Sequence, residues 1–163
     1  MGTGKNALDL MTGTFYFDKP SVTIMPTLTT DDLQPWAEHG IEKVTQNPPW
    51  LLLGYRRFMI GSEAFAGLIC FKDGAIQNIS LMSTRPEFGT SWNDFSHEKE
   101  EARQAFHNQW LAEQVDKRKG LLTLDEPFKT WEWDFNWGKI VSGWDTKNGT
   151  TEIVIVYAKE ESP

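Results

Sequence analysis

Three histidines, one cysteine, scattered serines and a cluster of glutamates are the side chains of this 163-residue chain equipped for proton transfer, nucleophilic attack or metal binding. Their spacing assembles none of those chemistries. His39 sits beside Gly40 in an expected loop, and His97 and His107 lie ten residues apart on one expected helix, about 80° from one another around its axis. A helical zinc pair needs i and i+4 spacing. His107 therefore reads as a structural histidine and His97 as an exposed first-turn residue. Glu98, Glu100 and Glu101 supply carboxylates, but neighbouring helix positions diverge, whereas two-carboxylate hydrolysis needs both groups converging on one cleft. They read as a solvated helix face. No serine lies in a Gly-x-Ser-x-Gly context, and Cys70, inside the apolar run Gly67-Leu-Ile-Cys-Phe71, reads as a small buried hydrophobe. The sequence thus leads to the expectation of no catalytic residue, no metal and no cofactor, with a small enzyme whose site is invisible in sequence as an alternative.

The more informative chemistry is that of contact. Eight tryptophans occur, five of them between Trp110 and Trp144, and the segment Asp125-Glu-Pro-Phe-Lys-Thr-Trp-Glu-Trp-Asp-Phe-Asn-Trp137 threads acids between aromatics. Along a strand, Trp131, Trp133 and Phe135 share one face while Glu132, Asp134 and Asn136 share the other. One reading places the aromatics in the core and the acids in water. The functional reading makes Glu126, Trp131, Glu132, Trp133 and Asp134 a partner-binding surface: an anionic patch on a rigid aromatic strand, suited to Lys or Arg of another protein. A competing reading is a ligand-binding module in which open tryptophan faces stack on sugars or bases.

Net charge is −7, which disfavours direct binding to nucleic acid or an anionic membrane and permits a basic partner. One cysteine forbids an internal disulfide. No apolar run is long enough for a signal peptide or a membrane span, so the expected location is the cytoplasm.

The length and an apolar fraction of 39% fit one globular domain. Residues 1–12 read as a flexible start, 13–158 as the domain and 159–163 as a solvated tail. Short strands are expected at 14–17 and 22–25 around the turn-forming Asp18-Lys-Pro-Ser21, and a brief helical turn capped by Thr29 or Thr30 follows. Asn47-Pro-Pro-Trp50 reads as an extended linker. Strands at 51–60, 64–72 and 75–82 form an antiparallel meander, with Asp73-Gly74 as the strongest hairpin signal. Ser96 begins a helix over about 97–115 with acids in its first turn. Ala102, Ala105, Phe106 and Trp110 mark its expected core arc, and His107, Leu111 and Val115 a second stripe for another part of the core or for a subunit contact; monomer or homodimer is left open. Strands return at 128–135, 139–144 and 150–158, the last apolar on both faces and hence expected to be central. The expected fold is α+β: an antiparallel sheet, built from a hairpin, a meander and C-terminal strands, packed against one long helix.

Over about residues 91–157 the chain resembles a known group. Ser91-Trp-Asn-Asp-Phe-Ser-His-Glu-Lys-Glu-Glu-Ala-Arg-Gln-Ala-Phe-His-Asn-Gln-Trp-Leu111, then Trp137-Gly-Lys-Ile-Val-Ser142, Asp145 and Ile153-Val-Ile-Val-Tyr157, is similar to a pattern in small bacterial proteins of the immunity type. Those proteins neutralise secreted or contact-delivered antibacterial toxins. The resemblance implies a cytoplasmic, non-enzymatic inhibitor that binds a cognate toxin, in many cases over its active site, and assigns no individual contact residue.

Overall fold

The computed structural model describes residues 8–9, 11–34, 38, 40–89, 95–114, 131–145 and 150–157. Strands β1 (Leu8–Asp9), β2 (Thr14–Phe17) and β3 (Val22–Ile24) make a small antiparallel sheet in that order. Leu8 is buried and pairs with Phe15, so the folded unit reaches into the stretch 1–12 expected to be flexible. Seven further strands form a second sheet: β4 (Ile41–Asn47), β5 (Trp50–Ile60), β6 (Glu63–Lys72), β7 (Ala75–Ser83), β8 (Trp131–Phe135), β9 (Gly138–Asp145) and β10 (Thr150–Val156). Their order is β4-β5-β6-β7-β10-β9-β8, with every pairing antiparallel. The apolar-on-both-faces strand β10 is indeed interior. The helix α1 spans His97–Gln114 and packs across β10, β9 and β7. The chain is a single domain of α+β type.

Two segments differ from expectation. Asn47-Pro-Pro-Trp50 is a tight hairpin turn, with Asn47 paired to Trp50 and the Pro48–Pro49 peptide cis, and not an extended linker. The strand before it, β4, has only Ile41 buried; as an edge strand with one exposed side it needs no alternation of apolar residues.

One face of the large sheet is covered. Phe17 of the small sheet lies 4.8 Å, centroid to centroid, from Phe58, while Trp110 of α1 lies 5.0 Å from Phe65. Phe58 and Phe65 are directly opposite on adjacent strands, so helix and small sheet cover the same side. Leu53, Ile69, Ile79, Leu81, Ile140, Ile153 and Ile155 complete that core. No described element packs against the reverse face.

The ladder between β6 and β7 is interrupted at its centre. Gly67 and Leu68 have no ladder partner in β7; the Leu68 N–H instead donates to Ser80 Oγ at 2.9 Å, and the Tyr55 hydroxyl donates to the Ser80 carbonyl. A Cβ on Gly67 would overlap that carbonyl, a backbone group with nowhere to go. Gly67→Ala should therefore cost about 1–3 kcal/mol, the ordinary range for overpacking. Urea denaturation checks this, and an unchanged midpoint would contradict the close approach.

Candidate functional site

The predicted contact strand has the alternation the sequence implies. Trp133 is buried and Phe135 half-buried, while Glu132, Asp134 and Asn136 are exposed. Phe135 stacks on Trp137 at 5.0 Å, and Trp137 in turn meets Tyr157 at 5.7 Å and lies against Gly13, whose left-handed φ of 72° and missing Cβ leave room for the indole. The aromatic half of the motif is thus a brace between β8 and the N-terminal sheet. Trp131 lies in β8, but its side chain, like Glu126 as a whole, lies outside the described residues. On the acidic side Lys139 pairs with Glu132 at 3.8 Å and is in register with Asp134, so the patch is less anionic than its two acids alone would be.

At the other edge of the same face, which no described element covers, lie apolar side chains. Val44, Trp50 and Leu68 are 55%, 41% and 39% exposed. Leu68 is opposite Gly54, and Val44 leans over Gly54 from β4, filling the space a side chain would take. Trp50 continues the strip beside Lys72, whose ammonium is 5.4 Å from the ring centroid.

Of the expected core arc Trp110 is buried and Phe106 packs against the core, but the rest of the helix's inward face is mostly polar. Glu100, Arg103, Gln104, His107, Asn108 and Leu111 are buried at i, i+3, i+4, i+7, i+8 and i+11, while Ala102 and Ala105 are exposed. The arc expected to be core is turned outward at its alanines, and the stripe of His107 and Leu111 points in. Glu100 is not part of a solvated face. Ser96 caps the helix as predicted, accepting from the Lys99 N–H at 3.1 Å.

The cause lies in the sheet. Pairing between β7 and β10 ends at Leu81 and Ile153, so the strands part beyond it. The Thr84 N–H turns toward β6, bonding Ala64, and the Ser83 N–H therefore faces the gap. His107 Nε2 accepts it at 3.0 Å. On the facing strand the Thr151 N–H donates to Glu100 Oε1 at 2.9 Å. Buried strand N–H groups need acceptors, and two side chains seven residues apart on α1 supply them. Around these, Glu100 pairs with Arg103, Arg103 donates to the Phe88 and Gly89 carbonyls at 3.0 and 2.8 Å, and Ser142 Oγ donates to Asn108 Oδ1 at 2.7 Å.

A cleft of ≈ 430 Å³ adjoins this junction. Its polar boundary includes Ser83, Glu100, Arg103 and Thr150, and its apolar boundary includes Ala66, Met82, Phe88 and Phe95. The groups here are poorly placed for proton transfer. The His107 lone pair is already taken by the Ser83 N–H, so the proton sits on Nδ1, which has no partner. Burial first, and then the nearby Arg103 charge, pull its pKa down to about 3. Burial raises the Cys70 thiol, away from the thiolate a nucleophile needs. Among the described residues, no three of His, Cys, Asp and Glu converge as metal ligands.

Two outcomes follow from this junction. Glu100→Gln leaves the Arg103 guanidinium buried without its counter-charge and should cost about 3–5 kcal/mol in urea denaturation; a loss below about 1 kcal/mol would show the pair to be dispensable. His107 is held neutral in the fold but protonates near pH 6.5 when unfolded. Its contribution to stability is therefore complete above pH 6.5 and falls as pH drops through 6.5 toward 3, by up to about 1.4 kcal/mol per pH unit. Between pH 6.5 and 5, His107→Gln should flatten the decline; equal slopes in both proteins would refute the assignment.

No helix among the described residues is long and apolar enough to cross a membrane. No family model matches the chain, and no curated protein and no solved structure matches it either.

Proposed function

We propose that this chain is a non-catalytic binding protein of the immunity type, which neutralises a cognate toxin by covering it with the open face of the seven-stranded sheet. The observation that carries the reading is the exposed apolar strip of Val44, Leu68 and Trp50 on a sheet face that no described element covers. Solvent-exposed apolar patches bounded by charge are the usual substance of protein contacts. The acidic half of the reading rests on Glu132 and Asp134, exposed at the opposite edge of that face, and on the chain's net charge of −7, both suited to a toxin with a basic substrate cleft. Glu126 and Trp131 stay in the proposed contact region by their place in the sequence, while Trp133 is buried on the core side of β8 and supports that region from beneath. A cytoplasmic target is part of the proposal, since the resemblance to immunity proteins implies protection inside the cell.

Co-expression with toxin domains encoded beside this reading frame tests the function, with growth rescue and co-purification as readouts. Val44→Ser with Leu68→Ser should weaken the complex at least tenfold and abolish rescue. Reversing both charges, Glu132→Lys with Asp134→Lys, should slow association and steepen the loss of binding in salt. Rescue undiminished by either double variant would remove this face from the mechanism, and rescue by no neighbouring toxin would remove the function.

A further inference from the structure

The stripe of α1 that could have met a second subunit is spent on the core, since His107 and Leu111 are buried. Self-association therefore needs another surface. We propose that two copies of this chain pair through the reverse face of the seven-stranded sheet, which no described element covers, about a two-fold axis parallel to β7. That rests on the reading of this face as a contact surface and gives it a resting occupant, for which a toxin would compete.

The topology suits such an axis. β7 is the middle strand of seven, so a two-fold axis running along it between the stacked sheets places β6 of one copy over β10 of the other, β5 over β9 and β4 over β8. The strands on either side of β7 carry apolar side chains at matching levels. Leu68 is level with Ser80, to whose Oγ its N–H donates, and Val154 pairs with Ser80 from the other side. Cys70 and Val156 are likewise the two partners of Asn78. All four point away from the core, because the residues that alternate with them, Ile69, Phe71, Ile153 and Ile155, are buried. The axis thus sets Leu68 against Val154 and Cys70 against Val156, twice over. Stacked sheets pack about 10 Å apart with their strands roughly 30° from parallel, an angle that a two-fold axis divides equally. Six interstrand spacings by the seven residues of β10 give a face of roughly 29 by 23 Å, of the order of the area each partner contributes to a standard interface.

Charge decides the direction of the pairing. On the β4–β6 half, Arg56 and Arg57 are exposed at the bulge of β5 and Lys72 at the end of β6, against Glu42, which pairs with Arg56 at 3.7 Å. On the β10–β8 half, Glu152, Glu132 and Asp134 stand against Lys139. Cations predominate at one end and acids at the other. An axis parallel to the strands lays unlike halves together, whereas one perpendicular to them would lay acid on acid. With the parallel axis, Glu132 and Glu152 of one copy come over the strands on either side of Arg56 of the other.

The test uses the whole chain without a toxin. Sedimentation velocity should show a dimer at micromolar concentration, and Leu68→Asp, at an exposed position, should weaken it at least tenfold. Arg56→Glu in one preparation, and Glu132→Arg with Glu152→Arg in another, should each weaken it at least tenfold. The second variant lowers the net charge of −7, so general repulsion alone would strengthen its dimer. Mixed in equal amounts, the two preparations should recover the dimer, because each chain then meets its opposite charge at both ends. Circular dichroism checks that the variants fold, and Glu132→Arg alone replaces the double variant should Glu152→Arg not fold. Three results would each overturn the proposal: a chain that stays monomeric into the millimolar range, which leaves the face to a toxin; a dimer indifferent to Leu68→Asp, which uses another surface; or charge variants that recover nothing on mixing. No toxin enters these readouts, so a missing dimer leaves neutralisation to its own rescue test, and a missing rescue leaves the dimer standing.

Discussion

A strand N–H that leaves its ladder inside a protein must find another acceptor, and the arrangement of this molecule turns on how Ser83 and Thr151 do so. Beyond Leu81 and Ile153 the two central strands separate, leaving donors that face each other across a gap. His107 and Glu100 fill it from below. Seven residues are two helical turns, about 10.5 Å, so one face of α1 reaches both strands at once. Apolar burial alone is non-directional and would let the helix roll on the sheet; two hydrogen bonds to fixed backbone donors set its rotation and its register. Leu111 points inward because His107 does, and Ala102 points outward for the same reason.

That solution has a structural consequence. Glu100 and Arg103, which reach the parted strand and the Phe88–Gly89 segment, also line the adjoining cleft. Arg103 balances the Glu100 charge and ties it to the Phe88–Gly89 segment, so the wall of the cleft and the anchor of the helix are one network. Networks of this kind are costly to break and depend on being complete. The Nε of Arg103 and Nδ1 of His107 are the places where this one is incomplete.

The strands were largely legible in the sequence, because their signals are local. Asp73-Gly74 marked its hairpin, alternation sorted Trp133 and Phe135 from Glu132 and Asp134, and Ser96 marked the helix start. What escaped was set by partners distant in sequence. Edge strand β4 has few apolar neighbours to reveal it, and Leu8 is buried only because Phe15 pairs with it. The helix is the instructive case. Counting apolar residues around its axis picks Ala102 and Ala105, since polar side chains are presumed to face water. Glu100, Arg103, Gln104, His107 and Asn108 nevertheless recur at i, i+3, i+4, i+7 and i+8, which is the spacing of a buried stripe. The polarity of that stripe is explained by unpaired strand donors that no reading of the helix alone could anticipate.

The proposed partner surface combines two different physical effects at opposite ends of one sheet. Charge acts over roughly 8–10 Å at physiological salt and governs approach, whereas apolar contact acts only on touching and governs lifetime. Glu132 and Asp134 lie on β8, and Val44, Trp50 and Leu68 lie on β4, β5 and β6. Six interstrand spacings separate the two edges, roughly 25–30 Å in a twisted sheet. A standard interface covers about 800 Å² on each partner, a patch of similar breadth. A partner engaging both ends must therefore lie flat across the sheet. Lys139, set between the two acids, reduces their attraction for a single bound cation. The acidic edge is thus better suited to orienting a basic surface than to anchoring it, and the apolar strip is the part of the face equipped to hold a partner once it has arrived.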